Sequence, residues 1–192
     1  MIRTGDTMNR PPRAFENIAA SDGFSMLEVL ISILIVSFGL LGLAGLQTIG
    51  IKNAHAATQR TIASQLAYDM TDRMRANLVA VANGDYNYPS YSLTGAAGTS
   101  TGACLTTTGC TPTQLALQDI FEWNAQILAQ LPQSTGATVG GVVCIDSTPN
   151  DGTAAAPACD NTGLLWVVKI WWLEDRNNAA APAKLVYSTF EP

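Results

Sequence analysis

The chain has 192 residues, is 47% hydrophobic and carries a formal net charge of −5, which is enough for one ordinary domain with appendages. The charge is uneven, because three basic residues stand against nine acidic ones after Asn83. An acidic distal half argues against a surface that follows nucleic-acid phosphates, so no nucleic-acid partner is expected.

Residues 1–22 are polar and mix arginines with acidic residues around a proline pair. No packed structure is expected in this segment. Translation could start at Met1 or at Met8, and the shorter leader would still carry Arg10 and Arg13.

An uncharged segment rich in Leu, Ile and Val runs from Val29 to Ile51. At a helical rise of about 1.5 Å per residue it spans about 34 Å, which is enough to cross a bilayer. Gly39, Gly42 and Gly45 interrupt it at three-residue intervals. This spacing either lets another helix approach closely or reflects the ordinary abundance of glycine in membrane helices.

Past Lys52 the sequence becomes amphipathic without a helix breaker, since neither proline nor glycine occurs between Ile51 and Gly84. The helix is therefore predicted to continue without interruption to about residue 82. Its expected packing face recurs every four residues and has two alanines beside it: Ile62, Leu66, Met70, Met74 and Leu78, with Ala63 and Ala67. A four-residue step drifts away from a heptad, which favours packing against a domain over a coiled coil.

The charged run DMTDRMR, residues 69–75, holds two pairs of opposite charge on this helix. Asp69 precedes Arg73 by four residues and Asp72 precedes Arg75 by three. Such pairs first of all support the helix, and a docking surface is the second interpretation.

Beyond Gly84 the sequence is rich in turn residues, and 94–110 are expected to form an exposed loop. A second helix is predicted from Pro112 to Leu131, with Thr111 as its cap and Pro132 just past its end. Its buried side is expected to comprise Leu117, Ile120, Phe121, Leu128 and Leu131.

Three short β-branched and aromatic runs predict strands of an antiparallel sheet: VGGVVCID (139–146), GLLWVVKIWWLED (163–175) and AKLVYSTFEP (183–192). In the second run, both faces carry bulk: Trp166, Val168, Ile170 and Trp172 on one, and Leu165, Val167, Lys169 and Trp171 on the other. The long helix is expected on one face and a partner or a loop on the other. The predicted fold class is therefore α+β.

Four cysteines, Cys104, Cys110, Cys144 and Cys159, lie in the distal half at spacings unlike the C-x2-C pairs of a zinc site. After an export-type N-terminus, two disulfides in an oxidising compartment are favoured over reduced cysteines in the cytosol. Three pairings are possible, and we favour Cys104 with Cys110 and Cys144 with Cys159, since each pair brackets a short turn-rich segment.

No catalytic constellation is found in the sequence. It has no nucleophile elbow and no glycine-rich phosphate loop, and its one histidine, His55, is expected to be solvated or packed. No enzyme, cofactor or metal site is therefore expected. A membrane-anchored periplasmic enzyme or binding module is the disfavoured alternative, because it would need a cleft of titratable residues.

Three hypotheses compete for the N-terminal segment. A secretory signal peptide would be cleaved at AHA, residues 54–56, but its apolar core would be too long. A plain signal anchor explains the span and the arginine-bearing leader under the positive-inside rule. Neither hypothesis explains Glu28, a carboxylate at the start of an apolar run.

The third hypothesis is a family resemblance. GFSMLEVLISILIVSFGLLGLAGL, residues 23–46, resembles the class III signal of type IV pilins and related pseudopilins, whose consensus begins Gly-Phe-Thr-Leu-Leu-Glu. The resemblance implies that the prepilin peptidase cuts after Gly23 and that Phe24 becomes the N-methylated first residue. It also implies that Glu28 forms an assembly salt bridge with the new ammonium of Phe24, either its own or that of a neighbouring subunit.

The segment departs from the consensus at three positions. Ser25 and Met26 are mild departures, and Asp22 stands where the family usually has Lys or Arg. Arg10 and Arg13 must then supply the charge that retains the leader in the cytoplasm.

Three stretches resemble the PilV minor pilins, known as type IV pilus modification proteins: GLLGLAGLQ (39–47), AYDMTDRMRAN (67–77) and DIFEWNAQILAQLP (119–132). The resemblance implies a type IV pilin-like fold in four parts. These are a prepilin leader (1–23), a transmembrane and assembly helix (24–52), its amphipathic continuation (53–82) and a periplasmic α+β domain with two disulfide loops (83–192).

The same resemblance implies a minor pilin held in the bacterial inner membrane, with its distal domain in the periplasm and a later place in the pilus at the cell surface. It would prime pilus assembly and sit at or near the tip with other minor pilins, the major pilin and an adhesin, supporting attachment and twitching motility. Prepilin peptidase would be a further partner. A type II secretion minor pseudopilin shares this architecture and is the alternative, disfavoured by the two middle motifs.

Overall fold

A computed structural model describes residues 23–88, 102–132, 140–174, 178 and 181–192. The chain divides into two compact units, one ending at Gln47 and one beginning at Thr48. The elements in chain order are α1 (Met26–Ala76), α2 (Leu78–Asn83), a 3-10 turn (Gly102–Leu105), α3 (Pro112–Gln130), β1 (Gly140–Ile145), β2 (Trp166–Trp172) and β3 (Lys184–Phe190). Helices with a small antiparallel sheet confirm the predicted α+β class.

The second half of α1 packs through the predicted four-residue face. Leu66, Met70 and Met74 are buried, Ala63 and Ala67 lie beside them, and Ile62 is half-buried against the same core. Side chains four residues apart share one face of a helix, so this periodicity places them together. The prediction of a packing face is confirmed for these residues.

The helix does not continue without interruption to residue 82, and this prediction is wrong. α1 ends at Ala76, and Asn77 adopts φ −128° and ψ 57° before α2 begins. The Asn77 Nδ2 group donates a hydrogen bond to the carbonyl oxygen of Pro112 at 2.8 Å. This hydrogen bond to the start of α3 favours the break in the helix. Because the break changes the direction in which the following side chains point, Leu78 is 53% exposed and does not join the packing face.

The second long helix, α3, begins where it is predicted to begin. Thr111 and Gln114 form a capping box, in which each side chain accepts a hydrogen bond from the other residue's backbone N–H, at 3.2 and 2.9 Å. Pro112 occupies the first turn, where its missing N–H has no intrahelical acceptor to lose. The helix ends one residue before the predicted end, at Gln130.

The predicted buried side of α3 is confirmed at Ile120 and Leu131 and is wrong at the other three positions. Leu117, Phe121 and Leu128 are only half-buried, whereas the core positions are Ala116, Ile120, Trp123, Ile127 and Leu131. Trp123 decides the phase, because its ring is fully buried and its Nε1–H donates to the Leu66 carbonyl oxygen of α1 at 2.8 Å.

The sheet has the order β1-β2-β3, with both pairs antiparallel. All residues of the central strand β2 are buried. One face, with Val168, Ile170 and Trp172, packs against the helices. The other face, with Trp171, packs against Ala154 of the segment that joins β1 to β2. The expectation of a helix on one face and a loop on the other is confirmed.

Gly141 in β1 lies directly against α3. A Cβ atom on Gly141 would stand 2.6 Å from Cζ3 of Trp123 and 2.7 Å from Cδ1 of Ile127, well inside the spacing of about 3.5–4.0 Å between carbon atoms in contact. A glycine inside a strand often marks such a close approach. Gly141 therefore sets how closely α3 packs on the sheet.

We expect Gly141→Ala to lower the free energy of unfolding by about 1–3 kcal/mol, because Trp123 or α3 must shift to admit the methyl group. Urea unfolding of the full chain in detergent, followed by tryptophan fluorescence, measures the loss. Gly102→Ala is the matched control, since a Cβ there would meet nothing within 4 Å, and its effect should stay within about 0.5 kcal/mol. Equal midpoints for the two variants would contradict the close approach.

Candidate assembly site

The first turn of α1 is capped by Ser25. The Leu27 N–H donates to Ser25 Oγ at 3.3 Å and the Glu28 N–H donates to the Ser25 carbonyl oxygen at 3.0 Å. A serine at this position satisfies backbone N–H groups that have no partner inside the helix. Ser25 thus fixes where the helix begins, three residues before Glu28.

Glu28 lies in this first turn, where the partial positive charge of the helix N-terminus favours a carboxylate. No Lys or Arg occurs between Gly23 and Ile51. No side chain of this segment can therefore give Glu28 a full positive charge. Gly23 and Phe24 precede the helix directly and are exposed.

The segment after Glu28 exposes apolar side chains all round. Its most apolar 18-residue window has a mean hydropathy of 2.6, and none of that window is buried. Ser32 Oγ donates to the Val29 carbonyl oxygen at 2.8 Å and Ser37 Oγ to that of Ile33 at 2.7 Å, so these hydroxyl groups are satisfied within the helix. By length and composition, α1 can cross a membrane.

Two of the stretches that resemble PilV proteins contact each other: residues 67–77, which include the end of α1, and residues 119–132, which include most of α3. Arg73 pairs with Asp69 at 3.0 Å on its own helix, as predicted, and also with Asp119 at 3.1 Å and Glu122 at 3.2 Å on α3. Although burial opposes it, hydrogen bonds to Glu122, Asp119 and Asp69 raise the pKa of the Arg73 guanidinium. Arg73 therefore acts mainly as a bridge between helices.

Tyr86, which follows α2, bonds to the same Asp119 side chain that pairs with Arg73. Its fully buried hydroxyl donates to Asp119 Oδ2 at 2.6 Å. Burial and this hydrogen bond raise the pKa of Tyr86 above its ordinary value, so the phenol stays neutral. The other predicted pair, Asp72 with Arg75 at 2.9 Å, is exposed and contributes little to stability.

Two disulfides cross-link the second compact unit, Thr48–Pro192, which is called the distal unit below. Cys104 is joined to Cys110 with their Cα atoms 4.7 Å apart, and Cys144 to Cys159 with their Cα atoms 6.1 Å apart. This is the pairing favoured on spacing. The second disulfide anchors residues 146–165, the segment between β1 and β2 that covers the sheet opposite the helices and is called the back loop below.

Lys169 fastens the back loop from the centre of the sheet. Its side chain and that of Asp146 are both fully buried and form an ion pair. The Lys169 Nζ group also donates to Asp151 Oδ1 and to the Pro157 carbonyl oxygen, each at 2.9 Å. A buried ammonium is tolerated when oxygen atoms replace its water shell, as these do.

Hydrogen bonds keep two carboxylates of the back loop ionised. Those from Lys169 and Thr148 lower the pKa of Asp151, and those from Ser147 and Thr162 lower the pKa of Asp160 well below its ordinary value. A carboxylate with a lowered folded-state pKa stabilises the fold above the unfolded-state value of about 3.9, and this contribution is lost as the pH falls through the folded-state pKa.

Acidification from about pH 5 towards pH 2 should therefore lower the unfolding midpoint of the distal unit, while changes above pH 5 should leave these two contributions intact. Urea unfolding at stepped pH values measures this dependence. Asp160→Asn removes one titrating group and should flatten the acid limb. If the unfolding midpoint fell as steeply with acidification in that variant as in the parent chain, the role given to Asp160 would be contradicted.

Residues 45–121 match the model of a family described as Tt1218-like, type IV pilin Tt1218. This match supports membership of the type IV pilin superfamily. The matched region takes in the second half of α1, α2 and the start of α3, including Arg73, Tyr86 and Asp119. Neither a curated protein nor a solved structure matches the chain.

The structure places the two groups of predicted residues in different surroundings. Gly23, Phe24 and Glu28 lie within six residues at the start of α1, in a segment that has no Lys or Arg before Lys52. The residues around Arg73, in contrast, pair with one another inside the distal unit. The sequence offered a signal for Ser25, because Ser-x-x-Glu is the spacing of a capping box. No sequence pattern indicates the role of Lys169, because the oxygen atoms that bind its ammonium group come from the back loop and are brought to it only by folding.

Proposed function

We propose that this chain is a minor pilin of the type IV pilus, of the PilV kind, held in the bacterial inner membrane with its distal unit in the periplasm. There it primes pilus assembly together with other minor pilins and the major pilin. It then sits at or near the tip with an adhesin and supports attachment and twitching motility. The proposal is supported by the type IV pilin match and by the resemblance of residues 23–46 to the prepilin signal.

One observation carries the proposed mechanism. Glu28 lies at the start of an apolar helix that has no cation before Lys52, and an unpaired carboxylate in lipid costs several kcal/mol. Prepilin peptidase cleavage after Gly23 would create an ammonium at Phe24, within one turn of Glu28. N-methylation would leave that amine cationic. A buried Glu28 is then most stable when neighbouring helices are offset along their axes so that the amine of one subunit lies next to Glu28 of the next. In this way the carboxylate would determine the axial offset between subunits.

We expect Glu28→Ala to reduce the fraction of this protein found in sheared pili by about tenfold or more, which corresponds to about 1.4 kcal/mol of lost pairing. The variant is expressed as the sole copy in a deletion strain of the natural host, and sheared pili are compared with membranes by immunoblot. Ser32→Ala, on the same face one turn further along, is the matched control and should assemble normally. Normal assembly of Glu28→Ala would overturn the role of Glu28.

Intact-mass measurement with N-terminal fragmentation tests processing independently. A mature chain that begins with methylated Phe24 and is four hydrogens lighter than the reduced sequence is expected, given the two disulfides. A chain that begins at Ala57 would show a cleaved secretory signal and would contradict the proposal. Loss of protein secretion with normal piliation in the deletion strain would instead indicate a type II secretion pseudopilin.

A further inference from the structure

An open apolar groove of about 450 Å³ lies at one end of the distal unit. Its floor is formed by Val81 of α2 and Trp166 of β2, which are almost completely buried, while Leu164 at its edge is 79% exposed. A groove of this volume is within the range of about 300–1,000 Å³ that holds ligands. The sequence assigns no task to these residues, and the proposed assembly role of Glu28 does not use them.

The apolar surface extends beyond the groove along α2. Ala82 lines the groove, and Leu78 lies one helical turn before it on the same face. Leu78 and its neighbour Val79 are 53% and 60% exposed. An apolar surface that continues from a groove onto a neighbouring helix is typical of a site that is covered by a partner.

One carboxylate lines the groove, and two others lie close in the chain to residues that line it or bond to its lining. Glu191 lines the groove, and Asp85 directly follows the lining residue Gly84. Asp160 precedes Asn161, whose N–H donates to the carbonyl oxygen of the lining residue Ile145 at 3.0 Å. Within the part of the chain that the structure describes, none of these three carboxylates forms an ion pair.

The negative charges of these three carboxylates indicate what kind of ligand the groove can bind. Asp85 accepts a hydrogen bond from Thr113 and Asp160 accepts hydrogen bonds from Ser147 and Thr162, but none of the three carboxylates has an ion-pair partner among the described residues. Carboxylates of this kind beside an apolar floor complement positive charges placed next to an apolar side chain. Because the carboxylates lie on three segments, they match cations spaced along a chain better than one compact cation. Phosphate-bearing ligands are disfavoured by the same charges.

We infer that this groove binds an extended segment of a partner protein in which an aliphatic side chain is flanked by Lys or Arg. The aliphatic side chain would lie on Trp166 and Val81, beside Leu164. The flanking cations would meet Glu191, Asp85 and Asp160. This inference goes beyond the proposed function, since it holds equally for a pilus and for a secretion pseudopilus.

The test uses the full chain in phosphatidylcholine nanodiscs and a fluorescent peptide of alternating Leu and Lys, with empty nanodiscs as the blank. Fluorescence anisotropy should show saturable binding that weakens with added salt. A peptide with Glu in place of Lys and a peptide with Ser in place of Leu should each bind at least about tenfold more weakly. Equal binding of the Leu and Glu peptide, or no binding of the Leu and Lys peptide, would overturn the inference.

Two variants locate the binding. Leu164→Ser and Glu191→Lys should each weaken binding of the Leu and Lys peptide by about fivefold or more, and both positions are exposed, so the fold should tolerate them. Leu105→Ser is the matched control, because Leu105 is 74% exposed and lies outside the groove. Unchanged affinity in both groove variants would show that the peptide binds elsewhere and would refute the site.

Discussion

Replacing Lys169 with methionine is expected to lower the free energy of unfolding of the distal unit by about 3–5 kcal/mol. The loss arises mainly because the fully buried Asp146 carboxyl group would lose its ion-pair partner. The carbonyl oxygen of Pro157 and the Asp151 carboxylate would also lose a donor. Urea unfolding followed by tryptophan fluorescence measures the change, since all four tryptophans lie after Thr48.

Two further variants separate this explanation from a simple packing defect. Adding Asp146→Asn to Lys169→Met removes the orphaned charge but keeps the Oδ1 acceptor that bonds the Thr148 N–H, so it should restore at least about half of the lost stability. Lys184→Met is the surface control. Its ion pair with Glu174 is partly exposed and 3.8 Å long, and its loss should cost no more than about 1 kcal/mol. Equal effects at Lys184 and Lys169 would contradict the buried role.

Trp123→Ala should lower the free energy of unfolding by about 3–5 kcal/mol, because it empties the space between α3, α1 and Gly141. It also removes the Nε1–H donor to the Leu66 carbonyl oxygen. Circular dichroism of the full chain in detergent is the suitable readout, since the variant loses one of the tryptophan reporters.

Phe121→Ala is the matched control for Trp123→Ala. Phe121 lies on the same helix and is predicted from the sequence to be buried, but it is only half-buried in the structure. Its replacement should therefore cost about half as much or less. A larger loss at Phe121 than at Trp123 would contradict the central place of Trp123 in the core.

The reliable predictions from sequence were those decided locally. The start of α3 follows from Thr111, Pro112 and Gln114, which lie within one turn, and the face of α1 follows from a regular spacing. The break at Asn77 could not be predicted in this way, because its hydrogen-bond acceptor at Pro112 lies 35 residues away in the sequence. Local propensity alone gives a continuous helix there.

The half-buried positions of Leu117, Phe121 and Leu128 and the oxygen ligands of Lys169 could not be predicted for a related reason. Several apolar residues on α3 could have faced the core, and only the fit of Trp123 against Gly141 and Leu66 decides between them. A lysine in a strand ordinarily predicts a solvent-facing position, and it becomes a core residue only when another segment supplies oxygen ligands. For the candidate assembly site the sequence was sufficient to name Gly23, Phe24 and Glu28, while their roles remain proposals.

The packing of α1 also has a mechanical consequence. Its buried face extends along the helix axis from Ala63 to Met74 and is tied to α3 by the Leu66–Trp123 hydrogen bond and the Arg73–Asp119 ion pair. A pull along α1 would therefore load these contacts together in shear, and they would have to yield almost simultaneously. A contact patch at one end of the helix would instead peel open one residue at a time. Tension applied along this part of α1 would therefore be shared by the core contacts of the distal unit.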